Sequence, residues 1–228
     1  MSISVRQMRA ADFSAIIELC GTVYPGAPTW VEAQLYSHFT LFPEGQLVAV
    51  ENERVLGYAA CLILNWDNYT FQDNWRDMTD GGLFTNHDPT NGRTLYGAEV
   101  MVHPSAQGKG AGGLLYEARV TLMQRLRLLR IRAGARLIGY GKLASQMTAQ
   151  EYVLEVVQRR IVDPTLSFQL NRGFQVLAIT SAYLRHDPES LGYAAVIERI
   201  NPETARPEDY LRQTASPFYR AGTGEPLR

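Results

Sequence analysis

Apolar and polar positions alternate over residues 3–8, from Ile3 to Met8, which is the two-residue period of a strand. The period then lengthens. Phe13, Ile16, Ile17 and Cys20 recur at the i, i+3, i+4, i+7 spacing, giving one buried stripe on a helix over 10–20. After the loop Tyr24-Pro25-Gly26-Ala27-Pro28, Thr29-Trp30-Val31-Glu32 matches a capping box and predicts a second helix over 29–39. Residues 46–50 and 54–65 read as strands joined at Glu51-Asn52-Glu53 in a hairpin-like turn. A central strand is predicted over 95–102 and a long helix over 111–130. Leu114, Leu115, Ala118, Leu122, Leu126 and Leu129 form the buried stripe of that helix. Its other face carries Arg119, Arg125, Arg127 and Arg130, read as a solvated face with cations near the helix C-terminus. A strand over 136–140 follows, ending at Gly139-Tyr140-Gly141. Thr148-Ala149-Gln150-Glu151 is a second capping box and opens a helix to about 160. Asp163-Pro164-Thr165 starts a short helix that ends at Gly173. Residues 174–180 and 193–200 read as a final antiparallel pair of strands. From 201 the chain turns polar, with Pro202, Pro207, Pro217 and Pro226, and the tail 201–228 is either draped on the body or loose.

One stretch follows neither period. Residues 66–94 hold Trp66, Tyr69, Phe71, Trp75 and Phe84 with Asp67, Asp73, Asp77, Asp80 and Asp88, and only Arg76 and Arg93 as cations. So long a loop in a compact domain is usually functional or disordered, and its aromatic content argues against disorder. It reads as an insertion within a single domain over 1–200 and folds over the active site. Its acidic and aromatic character suits a cationic amine, by charge and by cation–π contact. The competing reading is a packed lid with solvated carboxylates.

Composition narrows the classes. A chain of 228 residues, 46% hydrophobic and 20% charged, is long enough for one good core, and a net charge of −1 gives no global pull toward nucleic acid or an acidic membrane. Cys20 and Cys61 sit in apolar contexts without metal-ligand spacing and read as reduced core residues of a cytoplasmic protein. No apolar signal core opens the chain and no run approaches a membrane span. His87 and His103 have no second ligand at metal spacing and read as hydrogen-bonded residues, so no metal is expected.

The candidate chemistry lies at 100–113, Val100-Met101-Val102-His103-Pro104-Ser105-Ala106-Gln107-Gly108-Lys109-Gly110-Ala111-Gly112-Gly113. A strand, a glycine-rich turn and a helix in that order gather backbone N–H groups at a helix N-terminus, which suits a phosphate. No Lys-Ser/Thr follows the glycines, which excludes a nucleotide-triphosphate loop. The region about twenty residues on reads Arg130-Ile131-Arg132-Ala133, without the acidic residue of a dinucleotide fold. What fits is Gln-x-x-Gly-x-Gly over Gln107 to Gly112, preceded by Val-x-Pro. This resembles the pyrophosphate signature of the GNAT superfamily of acyl-CoA N-acyltransferases. Phe168-Gln169-Leu170-Asn171-Arg172-Gly173-Phe174 looks like the family's later helix-to-strand corner, and the order of elements over 3–200 is similar to its fold. Tyr96 to Pro104 and Asp163 to Leu170 further resemble the acetyltransferase part of bacterial proteins in which such a domain precedes a nitrilase-type hydrolase, of which this chain would be a stand-alone relative.

The resemblance implies an α+β, three-layer fold whose mixed, mostly antiparallel sheet has splayed central strands flanked by helices. It implies acetyl-CoA as co-substrate and an amine acceptor, a small molecule or a peptide. Val100, Met101 and Val102 would pair through their main chain with the pantetheine arm. The N–H groups of Gln107, Gly108, Lys109, Gly110, Ala111, Gly112 and Gly113 would hold the pyrophosphate, and an N–H near Val102 the oxyanion. Glu99 is the nearest carboxylate on the central strand, as catalytic base or in a structural role. Strand alternation places Ala98 and Tyr96 with Val100 and Val102 and turns Glu99 away, unless a bulge shifts the register. The family's usual tyrosine is Gln169 here; Tyr140 is the substitute acid, or else an aromatic cap on the core. A CoA-binding module without turnover is the alternative function. The arginine-rich helix as a nucleic-acid grip is the weakest reading. The exposed edge strands and the tail leave room for a homodimer.

Overall fold

Asn52 (φ 51°) and Glu53 (φ 62°) are both left-handed, between the paired Glu51 and Arg54. That is the two-residue turn whose twist matches a right-handed hairpin. It joins β2 (Gln46–Glu51) to β3 (Arg54–Leu64). The computed structural model describes residues 2–185, 187–211, 216–219 and 226. The chain divides into two compact units, Met1–Asn65 with Thr79–Leu128, and Trp66–Met78 with Leu129–Arg228.

In the first unit, β1 (Ser4–Gln7), β2, β3 and β4 (Thr94–Val102) form an antiparallel sheet in that order. One face packs Leu47, Ala49, Leu56 and Ala59 with Val100 and Val102 against Ala111 and Leu115 of α4 (Ala111–Arg125). The other face meets α1 (Phe13–Val23) and holds Tyr58, whose hydroxyl lies 3.3 Å from His38 Nδ1 on α2 (Glu32–Leu41). α2 starts three residues after Thr29, so the expected Thr29 cap is not used. Val31 is the N-cap, and its N–H donates to Gln34 Oε1 at 3.1 Å. Trp30 is buried edge-on to His38, which keeps the entry to the helix extended.

α4 ends five residues before the predicted stop. Arg127 takes the left-handed conformation (φ 53°), its N–H donates to Gln124 and that of Leu128 to Met123, which is a Schellman ending without glycine. α5 (Ala149–Val157) ends in the same way at Arg159 (φ 63°). Its N-terminus is the predicted capping box, with Glu151 N–H donating to Thr148 Oγ1 and Thr148 N–H to Glu151.

The second unit pairs β5 (Arg130–Arg136) with β7 (Ala194–Ile200), and β7 with β6 (Gln175–Thr180), all antiparallel, as expected for the last two strands. The strand expected over 136–140 lies instead over Arg130–Arg136, and Tyr140–Lys142 is a 3-10 turn. Arg132 is fully buried opposite Glu198, 2.6 Å from its carboxylate, with Trp66 stacked 4.3 Å away. Arg136 forks onto Asp187. α6 (Leu166–Leu170) opens on Asp163, whose Oδ1 accepts the N–H groups of Thr165 and Leu166. Part of the tail is draped: Ser216 donates to Val176 C=O, and Tyr219 accepts the Val176 N–H on edge strand β6.

The segment over 66–94 contains a 3-10 turn, the short α3 (Trp75–Met78) and loops, and the unit boundary falls inside it. Its carboxylates serve its own turns. Asp73 accepts Thr70 Oγ1, Asp77 accepts Asn74, Asp80 accepts Thr85, and Asp88 accepts the Asn91 N–H.

Candidate active site

β4 carries the site in the first unit. Its register against β3 runs Tyr58 with Met101, Ala59 with Val100 and Ala60 with Glu99, then jumps to Cys61 with Gly97 and Leu62 with Tyr96. Ala98 is the extra residue of a bulge. Paired residues share a face, so Tyr96, Glu99 and Met101 lie on the Tyr58 side, and Val100 and Val102 lie on the α4 side. Alternation had placed Tyr96 with Val100 and Val102; the bulge reverses that. Glu99 takes a hydrogen bond from the Tyr24 hydroxyl, at the end of α1, with 2.9 Å between that oxygen and Oε1. Nothing in the local pattern points to Tyr24, which lies 75 positions away.

Beneath the bulge sits Arg119, at 1% exposure. The sequence placed it on the solvated face of α4, but it projects inward between Leu115 and Leu122 of the buried stripe. Its Nε donates to Cys61 Sγ at 3.0 Å, and one terminal nitrogen donates to Glu99 C=O at 2.7 Å and to Ala60 C=O at 3.4 Å. Burial raises the Cys61 thiol above its ordinary pKa, and the guanidinium partly offsets this. Burial also holds the Tyr58 phenol well above its usual value. Both groups are protonated at neutral pH.

Beyond Val102 the chain turns at a 3-10 segment, Pro104–Ala106, where the side chain of His103 accepts the Ser105 N–H at 3.1 Å. Gln107 folds its amide back toward Val102 C=O at 3.4 Å. Gly108 (φ 73°) and Gly110 (φ 91°) are left-handed, and a Cβ at either would meet nothing within 4 Å. The glycines therefore serve backbone direction, not close packing. Gly110 is the N-cap of α4. The first intrahelical bond runs from the Leu114 N–H to Gly110 C=O, so the N–H groups of Ala111, Gly112 and Gly113 precede the ladder. Gln107 to Gly110 are solvent-exposed. The arrangement suits an anion with oxygens to spare, such as a pyrophosphate.

Tyr140 belongs to the second unit. It is 6% exposed, with Tyr152 and Tyr193 ring centroids 5.6 and 5.3 Å away. It lines a pocket of about 410 Å³ with Tyr193, Met147, Ile179, Thr148 and Gln150, and no lining residue is charged. Gln169 is buried. His87 stacks on Phe42 and accepts the Ile63 N–H at 3.0 Å. Among the described residues, no group of three or more His, Cys, Asp or Glu side chains is placed to hold a metal ion.

An antiparallel sheet whose central strand runs through a glycine turn into a helix N-terminus defines an α+β protein with an anion-accepting turn. Comparison with known proteins gives the family: the model of the acetyltransferase (GNAT) family matches residues 6–137. The chain belongs to that family of acyltransferases and has its fold. It is 34% identical over 204 residues to the uncharacterized N-acetyltransferase YkwB of Bacillus subtilis (strain 168), covering 88% of this chain and 89% of that protein. It is 40% identical over 217 residues to the probable hydrolase YhcX of the same organism. That alignment covers 95% of this chain but 41% of YhcX, so the chain spans less than half of that relative. Among solved structures, the GphF GNAT-like decarboxylase in complex with isobutyryl-CoA matches in fold, with a TM-score of 0.72 at 22% identity, over 86% of this chain and 98% of that one.

Proposed function

We propose that this protein is an N-acetyltransferase that passes the acetyl group of acetyl-CoA directly to a primary amine. The observation that carries the reading is the β4 strand itself. One strand leads from a hydrogen-bonded carboxylate at Glu99, through the main chain of Val100–Val102, to a run of amides at Gln107–Gly113 whose first four residues are solvent-exposed. In this reading those amides hold the pyrophosphate, and the backbone of Val100, Met101 and Val102 pairs with the pantetheine amides. Lys109, exposed in the turn, adds a charge there.

The amine nitrogen attacks the thioester carbonyl, the C–N bond forms, and the C–S bond breaks to leave the thiolate. A backbone N–H near Val102 holds the developing oxyanion. Glu99 takes the proton released by the amine, directly or through one water, with Tyr24 fixing which carboxylate oxygen is turned toward it. The return of a proton to the thiolate is assigned to Tyr140 on its phenol chemistry alone, with water as the other donor. Asp73, Asp77, Asp80 and Asp88 are spent on local turns, which favours a packed segment over a cation-binding one.

Thiol release from acetyl-CoA, measured against a panel of primary amines, tests the reading. At least one amine supports turnover, and Glu99→Gln lowers kcat by on the order of 100-fold or more while coenzyme A still binds by calorimetry. Heat from coenzyme A with no thiol release from any amine would leave a binding module instead. No heat at all would end both.

A further inference from the structure

We propose that Arg119 is the positioning residue of the β4 site: its buried guanidinium closes the bulge at Ala98 and thereby aims the Glu99 carboxylate at Tyr24. The inference deepens the transfer reading and rests on the role given there to Glu99. A fully buried guanidinium is costly, and an apolar residue between Leu115 and Leu122 would extend the stripe of α4 at no such cost. Among the described residues, its hydrogen-bond partners are one sulfur and two carbonyl oxygens, with the Tyr116 ring 5.4 Å away and no carboxylate in an ion pair. Those two carbonyls belong to Ala60 and Glu99, the last pair in register before the ladder jumps.

A bulge interrupts the ladder and bends the strand. Here it lets two apolar sets coexist: buried Leu95 and Tyr96 on one side of Ala98, buried Met101 and half-buried Val100 on the other. The register past Ala98 decides which face receives residue 99. Arg119 is the charged donor at that point, bonded to the main-chain oxygen of the residue whose side chain Tyr24 holds. It touches no reacting atom in the transfer reading, so it acts through Glu99.

The test reads Tyr24, not only turnover. In ¹³C-tyrosine-labelled protein, the Tyr24 Cζ resonance, assigned by Tyr24→Phe, reports its bond to the Glu99 carboxylate, and Glu99→Ala, which removes the acceptor, marks where the signal goes when that bond is lost. In folded Arg119→Met the signal moves to the Glu99→Ala position, and the double variant moves no further. A signal left at its wild-type position overturns the proposal. If Arg119→Met fails to fold, Arg119→Lys decides in its place. Lysine keeps the charge but lacks the planar fork that reaches the sulfur from Nε and the carbonyls from a terminal nitrogen, so an intermediate position supports the proposal and an unmoved one sinks it.

With an amine that supports turnover, Arg119→Met lowers kcat roughly 10- to 100-fold with the acetyl-CoA KM within about threefold, and adds nothing to Glu99→Gln. A multiplicative loss in the double variant marks a merely structural role and overturns it. Should the wild type release no thiol at all, the transfer reading fails visibly, while the Tyr24 signal still decides whether Arg119 aims Glu99.

Discussion

His38 shows how much one side chain's surroundings decide. Nothing in the sequence singles it out from the polar face of a helix, yet it is fully buried, stacked 3.6 Å from Phe84, with Nε2 donating to Gly82 C=O at 2.7 Å. Burial pulls its pKa down from 6.5 to about 4. The folded state therefore binds fewer protons than the unfolded chain between those values, and stability is full above pH 6.5 and falls as pH drops toward 4. The loss reaches about 3 kcal/mol, and burial of His87 adds to it with the same sign. A series of thermal melts from pH 7 to 4 checks this. His38→Gln is less stable at pH 7 but shows a flatter slope, and an unchanged slope would clear His38. Glu99 sits at the same scale. Alternation turned its carboxylate away from Val100 and Val102, as the structure does, but not toward Tyr96, because alternation gives a face only until the bulge at Ala98 intervenes.

Among the elements, those whose signals are local were legible. The glycine turn was, because Gly108 and Gly110 adopt backbone angles other residues resist. So was the capping box at Thr148, where donor and acceptor lie three residues apart. The ends of α4 and α5 were not. Arginine occupies the left-handed position where glycine is the usual signal, and Leu128 and Leu129 continue an apolar pattern that belongs to the entry of β5. The start of β5 was missed for a related reason. Arg130 was counted on the solvated face of the helix, and the inward role of Arg132 and Arg136 shows only when Glu198 and Asp187 arrive from elsewhere in the chain. Asp163 gives the sharpest prediction at this scale. Its carboxylate accepts the Thr165 and Leu166 N–H groups, the Gly139 N–H at 3.1 Å and the Tyr152 hydroxyl at 2.8 Å, all without solvent exposure. Asp163→Ala strips four donors of their acceptor and costs about 3–5 kcal/mol in denaturant unfolding. A cost under about 1 kcal/mol would show that water takes over.

For the whole chain, charge decides what is excluded. Net charge is −1, and the arginines of β5 are spent internally: Arg130 and Arg132 on Glu198, Arg136 on Asp187 and Glu189. The protein should not retard duplex DNA at 150 mM salt, and the log–log salt slope of any residual binding should be near zero; a steep negative slope would reinstate a nucleic-acid role. No helix among the described residues is long and apolar enough to cross a membrane.

The sequence by itself determined the order of most elements, the phosphate-type turn and the family those imply, because each depends on residues within a few positions of one another. Tertiary structure decided where the strand after α4 begins, that Tyr96 shares a face with Glu99, that Tyr24 meets that carboxylate, and that Arg119 lies inside rather than out. These depend on what stands opposite in space. A main-chain carbonyl that takes a guanidinium from another element, or a carboxylate 66 positions away, leaves no periodic trace in the chain that will later need it.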